Sequence, residues 1–203
     1  MKPNWQFRSE YMKNLISHND TIYIQDRHHL EKISGLKSTD SSAAFNYTSL
    51  SGDKISFTIN TGKFDPSKHQ LHLNDTVFKL INNEKKIDYL EEKDLVDGHK
   101  AYGNDGNIPV KEIKTIKIKW NDVLLTIPAS AFKNLFEIHT KTIEAYLSKD
   151  KKLLYVYISA SDGAGSYAVK FVFGKKKYIT RMISTNECTD GFDFLDALPQ
   201  SCE

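Results

Sequence analysis

The chain has 203 residues, with 28 Lys+Arg against 26 Asp+Glu and 39% hydrophobic residues. A chain of this size buries roughly 70% of its extended surface on folding, so wholesale disorder is excluded. A net charge of +2 argues against a dedicated nucleic-acid binder, which needs a strongly basic face.

The cations are almost all lysine. Only Arg8, Arg27 and Arg181 are arginine. Lysine supplies a diffuse, hydrated charge and rarely builds bidentate clamps, so sites made of arginine clusters are excluded. No apolar run reaches the ~18 residues of a membrane-spanning helix. The start, Met1-Lys2-Pro3-Asn4-Trp5, lacks the apolar core of a signal peptide. It fits a mature exported protein, periplasmic or secreted, whose signal has been removed. It also fits a cytoplasmic chain.

In chain order, Trp5, Phe7, Tyr11, Met12, Leu15 and Ile16 predict a short amphipathic helix within 4–16. Thr21–Gln25 reads as a strand. A helical turn is expected at His29–Ile33, ended by Gly35. Alternating segments at Ala43–Leu50, Lys54–Asn60, Gln70–Leu73 and Thr76–Ile81 predict a meander of short antiparallel strands. Ser51-Gly52-Asp53, Thr61-Gly62, Asp65-Pro66 and Asn74-Asp75 supply its turns.

Residues 82–107 are polar and acid-biased, and read as a linker or long surface loop. Glu112–Trp120 and Val123–Ile127 form a hairpin about Asn121-Asp122. Pro128 predicts a helix over Ala129–Phe136 with one apolar face. Thr142–Leu147, Leu153–Ala160, Tyr167–Phe173 and Tyr178–Ser184 predict a second meander. A last helical turn is expected at Phe192–Leu198. The fold class is therefore α+β: mainly antiparallel β meanders with two or three short helices. A single domain, 1–203, is expected. An N-terminal β subdomain, 1–90, and a C-terminal one, 108–203, are conceivable within it.

The candidate site is the loop Asp162-Gly163-Ala164-Gly165-Ser166-Tyr167, with Arg181 nearby as a cation. Its glycines permit positive φ and close backbone approach. Successive N–H groups there can cradle an anion, with Asp162 as an acceptor. The same glycines equally suit a turn required for geometry alone. A phosphate loop proper is disfavoured, because no helix follows and no Gly-Lys-Ser/Thr ending is present.

Other chemistry has weaker footing. The histidines are scattered, and His69 and His72 would diverge in a strand, so no metal site or cofactor is expected. No nucleophile elbow exists. Lys175–Lys177 beside Tyr178 reads as a solvated hairpin tip rather than a nucleic-acid contact. Cys188 and Cys202 both fall in the last sixteen residues, with thirteen between them. A disulfide there would close a loop worth about 3 kcal/mol by chain entropy, in an oxidising compartment. Two free thiols in a reducing cytosol are the alternative.

Several motifs carry a resemblance. They are Asp97-Gly98, Gly103, Asp105-Gly106, Pro109, Glu112-Ile113-Lys114, Ile127-Pro128, Ala131-Phe132, Leu135, the Asp162–Tyr167 loop, Lys177-Tyr178 and Arg181. Over residues 95–184 the chain resembles an uncharacterised family of small bacterial proteins, common in Bacteroidetes and often exported. No activity is established for that family, so the resemblance implies a compartment and a fold. The leading expectation is a non-enzymatic exported envelope protein binding a protein or small ligand through the Asp162–Tyr167 loop. The alternatives are an immunity protein that blocks a cognate toxin with the acidic Asp88–Asp97 region, and a hydrolase using Asp162 with a second carboxylate.

Overall fold

In the computed structural model, residues 30–73, 78–81, 84–87, 94–104 and 107–184 are described. The expected helices at 4–16 and Phe192–Leu198, the strand at Thr21–Gln25 and both cysteines lie outside them.

The described chain is built of antiparallel strands. Its first half supplies β1 (Glu31–Lys32), β2 (Lys37–Ser38), β3 (Ser42–Thr48), β4 (Lys54–Lys63), β5 (Leu71–His72), β6 (Phe78–Ile81), β7 (Glu84–Ile87), β8 (Leu95–Val96) and β9 (His99–Lys100). The second half supplies β10 (Lys111–Trp120), β11 (Val123–Leu124), β12 (Glu144–Leu147), β13 (Leu153–Ala160), β14 (Tyr167–Gly174) and β15 (Tyr178–Ser184). One sheet has the order β11-β10-β4-β3-β2 and a second the order β1-β12-β13-β14-β15. Strands β5, β8 and β9 form a small third sheet, and β6 and β7 pair as a hairpin.

The strands follow from period-two patterning. In β4, Ile55, Phe57, Ile59 and Thr61 are buried while their neighbours face outward. In β10, Ile116, Ile118 and Trp120 do the same. The Trp120↔Ile55 and Phe45↔Phe57 registers stack these apolar residues across the sheet. The inward faces of both five-stranded sheets share one core, where Phe45, Phe57, Ile59 and Ile118 join Leu154, Val156, Val169 and Phe171. Two sheets about a shared core make a β-sandwich.

In the second sheet both faces are buried. Tyr146, Leu153, Tyr155, Tyr157, Ala168 and Val172 form a separate cluster. Lys170 is enclosed with it at 1% exposure, its ammonium 4.3 Å from the Tyr155 ring centre and 5.4 Å from that of Tyr157.

The α+β expectation is therefore corrected. Among the described residues the helical pieces are single 3-10 turns at Pro66–Lys68, Ala129–Ala131, Thr140–Thr142 and Gly163–Gly165. The helix expected over Ala129–Phe136 stops after one turn, where Phe132 turns away at φ −146°. Its backbone finds partners outside a helix: Tyr102 N donates to Asn134 O and Phe136 N donates to Tyr102 O. Leu135 packs into the main core while the adjacent Phe136 packs with Phe64, Val96 and Ala101, which a single helical face could not achieve. The helical turn expected at His29–Ile33 is replaced by the extended β1, which docks on β12. The polar segment 82–107, expected as loop, contains β7, β8 and β9.

Two cross-sheet clasps close one end of the sandwich. Tyr47 of β3 donates to Glu31 of β1 at 2.5 Å, and Lys151 pairs with the same carboxylate at 2.5 Å. Burial works to raise the Glu31 pKa, but the Lys151 and Tyr47 contacts outweigh it and hold the carboxyl below its ordinary value. Lys175 of the β14–β15 turn reaches across to Asp53 at 2.8 Å.

Candidate functional site

The Asp162–Tyr167 loop joins β13 to β14 at the opposite end of the sandwich. The hairpin register ends on Ala160↔Tyr167. The loop opens at Ser161, which adopts φ 58°, a left-handed value unusual for serine. Two bonds hold it there: its N–H donates to Glu137 O at 2.9 Å and its Oγ donates to Gly103 O at 3.2 Å. Residues 163–165 then make one 3-10 turn, closed by Ser166 N donating to Gly163 O at 3.1 Å.

The glycines have different duties. A side chain on Gly165 would stand 3.1 Å from Ser161 Oγ and 3.2 Å from the backbone of Asn104. Gly165 therefore faces protein, and its bareness serves packing. Gly103, which the loop meets, has φ +92°, and a Cβ there would lie 2.6 Å from Phe136 O and 2.9 Å from the Tyr167 ring. Neither alanine nor a larger residue fits that gap. Asp162 and Gly163 are exposed.

Tyr167 and Arg181, expected as contact residues, serve the base of the loop. Tyr167 is buried, donates its hydroxyl to Phe136 O at 2.7 Å and leans on Tyr102 with ring centres 5.9 Å apart. Burial pushes its phenol well above the ordinary value, against the nearby Arg181 charge. Arg181 is half-buried on β15, where Nη1 donates to Ala131 O and Nη2 to Asn134 Oδ1, each at 2.8 Å. Desolvation lowers its pKa, while Tyr178, Tyr102 and Tyr167 act in the opposite direction. Asn134 passes the link on by donating to Lys100 O at 2.7 Å. Arg181 thus straps segment 129–134 to the sheet and forms no bond to Asp162.

Around this base lie residues that carry no sequence motif. Glu137 has φ 52°, and its carboxylate accepts from Val110 N at 2.6 Å and Lys111 N at 3.0 Å. Asn104 Nδ2 is buried without a hydrogen-bond partner. Val110, bonded to Glu137 through its N–H, is 68% exposed, and Ile108, two residues before it, is 48% exposed.

A titratable cluster also escapes sequence reading. His69 Nδ1 lies 2.8 Å from Asp97 Oδ2 and its Nε2 lies 3.8 Å from Glu112 Oε2, with the ring stacked on Phe64 at 4.6 Å. Asp97 also accepts from Gln70 N at 3.0 Å. The His69 contact, then that backbone bond, hold the Asp97 carboxyl below its ordinary value. Lys114 pairs with Glu112. The signal missed was the Asp97-Gly98 turn, which brings a carboxylate back to the residue after the Pro66–Lys68 turn. His72, by contrast, is exposed on β5. Among the described residues, no group of three or more His, Cys, Asp or Glu is arranged to hold a metal ion. Nor is any helix among them long and apolar enough to cross a membrane.

In comparisons with known proteins, no family model, no curated protein and no solved structure matches this chain.

Proposed function

We propose that this chain is a non-enzymatic, exported protein of the bacterial envelope that binds a protein or a small ligand through the Asp162–Tyr167 loop. One observation carries the reading: the exposed Asp162-Gly163 apex sits on an immobilised base. Ser161, Gly103, Tyr167 and Phe136 interlock beneath it. A preorganised loop loses little entropy on binding. Glu137, which holds Ser161 N through its carbonyl, also accepts from the N–H of Val110, an exposed apolar residue. The resemblance over residues 95–184 supports export.

The hydrolase alternative draws no added support: Asp162 is exposed, and among the described residues no second carboxylate is bonded to it. For the immunity alternative, residues 88–93 of its acidic region lie outside the described residues.

The test places a photo-crosslinking residue at position 162 and, in a second protein, at the exposed position 117 midway along β10, within envelope preparations of the source cells. The reading expects one discrete adduct from position 162 alone. No adduct, or the same adducts from both positions, overturns it.

A further inference from the structure

The other end of the sandwich has a composition of its own. The registers Thr48↔Lys54, Trp120↔Val123 and Leu153↔Gly174 place four hairpin tips there: 48–54, 119–124, 147–153 and 174–178. The Lys175–Asp53 pair at 2.8 Å and the Lys175 ammonium 5.8 Å from the Trp120 ring bring the tips of both sheets together.

These four segments hold eight lysines and three aspartates, with no glutamate or arginine. Each aspartate is already neutralised: Asp53 by Lys175 at 2.8 Å, Asp122 by Lys119 at 3.6 Å and Asp150 by Lys152 at 3.0 Å. Lys54, Lys176 and Lys177 are exposed and form no ion pair among the described residues. Glu31, at the same end, takes up Lys151 at 2.5 Å, and the charges of Lys54, Lys176 and Lys177 face outward. At the far end, hairpin loops 38–42 and 160–167 carry Asp40 and Asp162, and Lys141 pairs with Asp40 at 2.6 Å.

Exposed apolar side chains accompany the lysines. Leu50, at the apex of the β3–β4 turn, is 96% exposed. Val123 and Leu124 on β11 are 43% and 68% exposed, and Ile179 at the start of β15 is 44% exposed. Leucine at a hairpin apex gains nothing in water. Aliphatic tips set within a ring of lysines match a bilayer interface: the tips enter the acyl boundary and the ammonium groups meet anionic headgroups. Lysines acting as point charges suit a diffuse layer of phosphates better than one fixed phosphate, which favours arginine forks.

We propose that this end of the sandwich docks on an anionic phospholipid surface, with Leu50, Val123 and Leu124 inserted and Lys54, Lys176 and Lys177 on the headgroups. The proposal concerns the end opposite the Asp162 loop and stands apart from the ligand reading of that loop.

The test is co-sedimentation of the full chain with vesicles of phosphatidylcholine alone, and of phosphatidylcholine and phosphatidylglycerol in equal parts. Binding is expected only to the anionic vesicles, and it should weaken as salt screens the charges. With about fivefold in affinity carried by each lysine near the surface, K176E/K177E should lower partitioning by roughly 25-fold or more. Leu50→Ser should lower it roughly 10-fold. Asp40→Asn, at the far end, should leave it unchanged. These positions are exposed, and equal urea midpoints will show that the variants fold; Lys54→Glu is the substitute if one does not. No binding to anionic vesicles, equal binding to neutral ones, or unchanged binding by K176E/K177E overturns the proposal. So does an acidic protein partner that these variants lose while wild-type protein ignores vesicles.

Discussion

Tyr167 reaches out of β14 to donate its buried hydroxyl to the carbonyl of Phe136, and Gly103 packs bare against both residues. Three segments distant in sequence meet at that point. Removing the hydroxyl strands a buried carbonyl, so Tyr167→Phe should cost about 1–3 kcal/mol in urea unfolding. Gly103→Ala adds overpacking to an unfavourable positive φ and should cost about 3 kcal/mol or more. A Gly103→Ala protein as stable as wild type would show that the interlock is loose.

Arg181 should not tolerate lysine. Its guanidinium holds Ala131 O and Asn134 Oδ1 with separate nitrogens, and a single ammonium on a flexible stem cannot reproduce that fork. Arg181→Lys is expected to cost about 1–3 kcal/mol. Hydrogen exchange at the backbone amides of 131–136 should rise with it. Unchanged exchange there would separate Arg181 from that segment.

Asp97 makes stability depend on acid. Its folded pKa is depressed, so its contribution is present above the unfolded value near 3.8 and is lost as pH falls through the folded one. Asp97→Asn removes that contribution at neutral pH. Urea midpoints of the variant and of wild type should differ at pH 7 and converge as pH falls through the folded value. Parallel curves across that range would contradict the His69–Asp97 pairing.

Alkali should loosen the other end. Hydrogen bonding to Glu31, then burial, raise the Tyr47 phenol from 10.0 to about 12. The raised value stabilises the fold below pH 10.0, and that stabilisation is lost as pH climbs through about 12. Tyr47→Phe should be less stable at neutral pH and show a shallower loss in this window, read by tryptophan fluorescence during alkaline unfolding.

The strands were legible because their patterning is local. Leu153–Ala160 and Tyr178–Ser184 occur as expected, and the Asn121-Asp122 turn reverses the chain between β10 and β11. The sandwich was not legible, because the β4–β10 pairing skips the whole 64–110 segment and no periodicity reports such a partner. The helix expected over Ala129–Phe136 failed for a related reason. Phe132, Leu135 and Phe136 have helical spacing, yet tertiary partners on 102 and 112 claim the backbone. At the candidate site, the glycine loop announced itself, while Gly103, Asn104 and Glu137 reach it from remote segments through backbone contacts. Sequence cannot distinguish a glycine bare for a ligand from one bare for Asn104.

Lys170 lies sealed among Tyr155 and Tyr157 while Lys54, Lys149, Lys176 and Lys177 stand in solvent. That contrast supplies a clock. An amine-acylating reagent will mark the exposed lysines at once, but it must wait for the second sheet to open before it reaches Lys170. The lag before position 170 is labelled, followed by peptide mass, therefore times the opening of that sheet without any substitution in the chain. Labelling of Lys170 as fast as Lys176 would mean that this face is already open in the native ensemble.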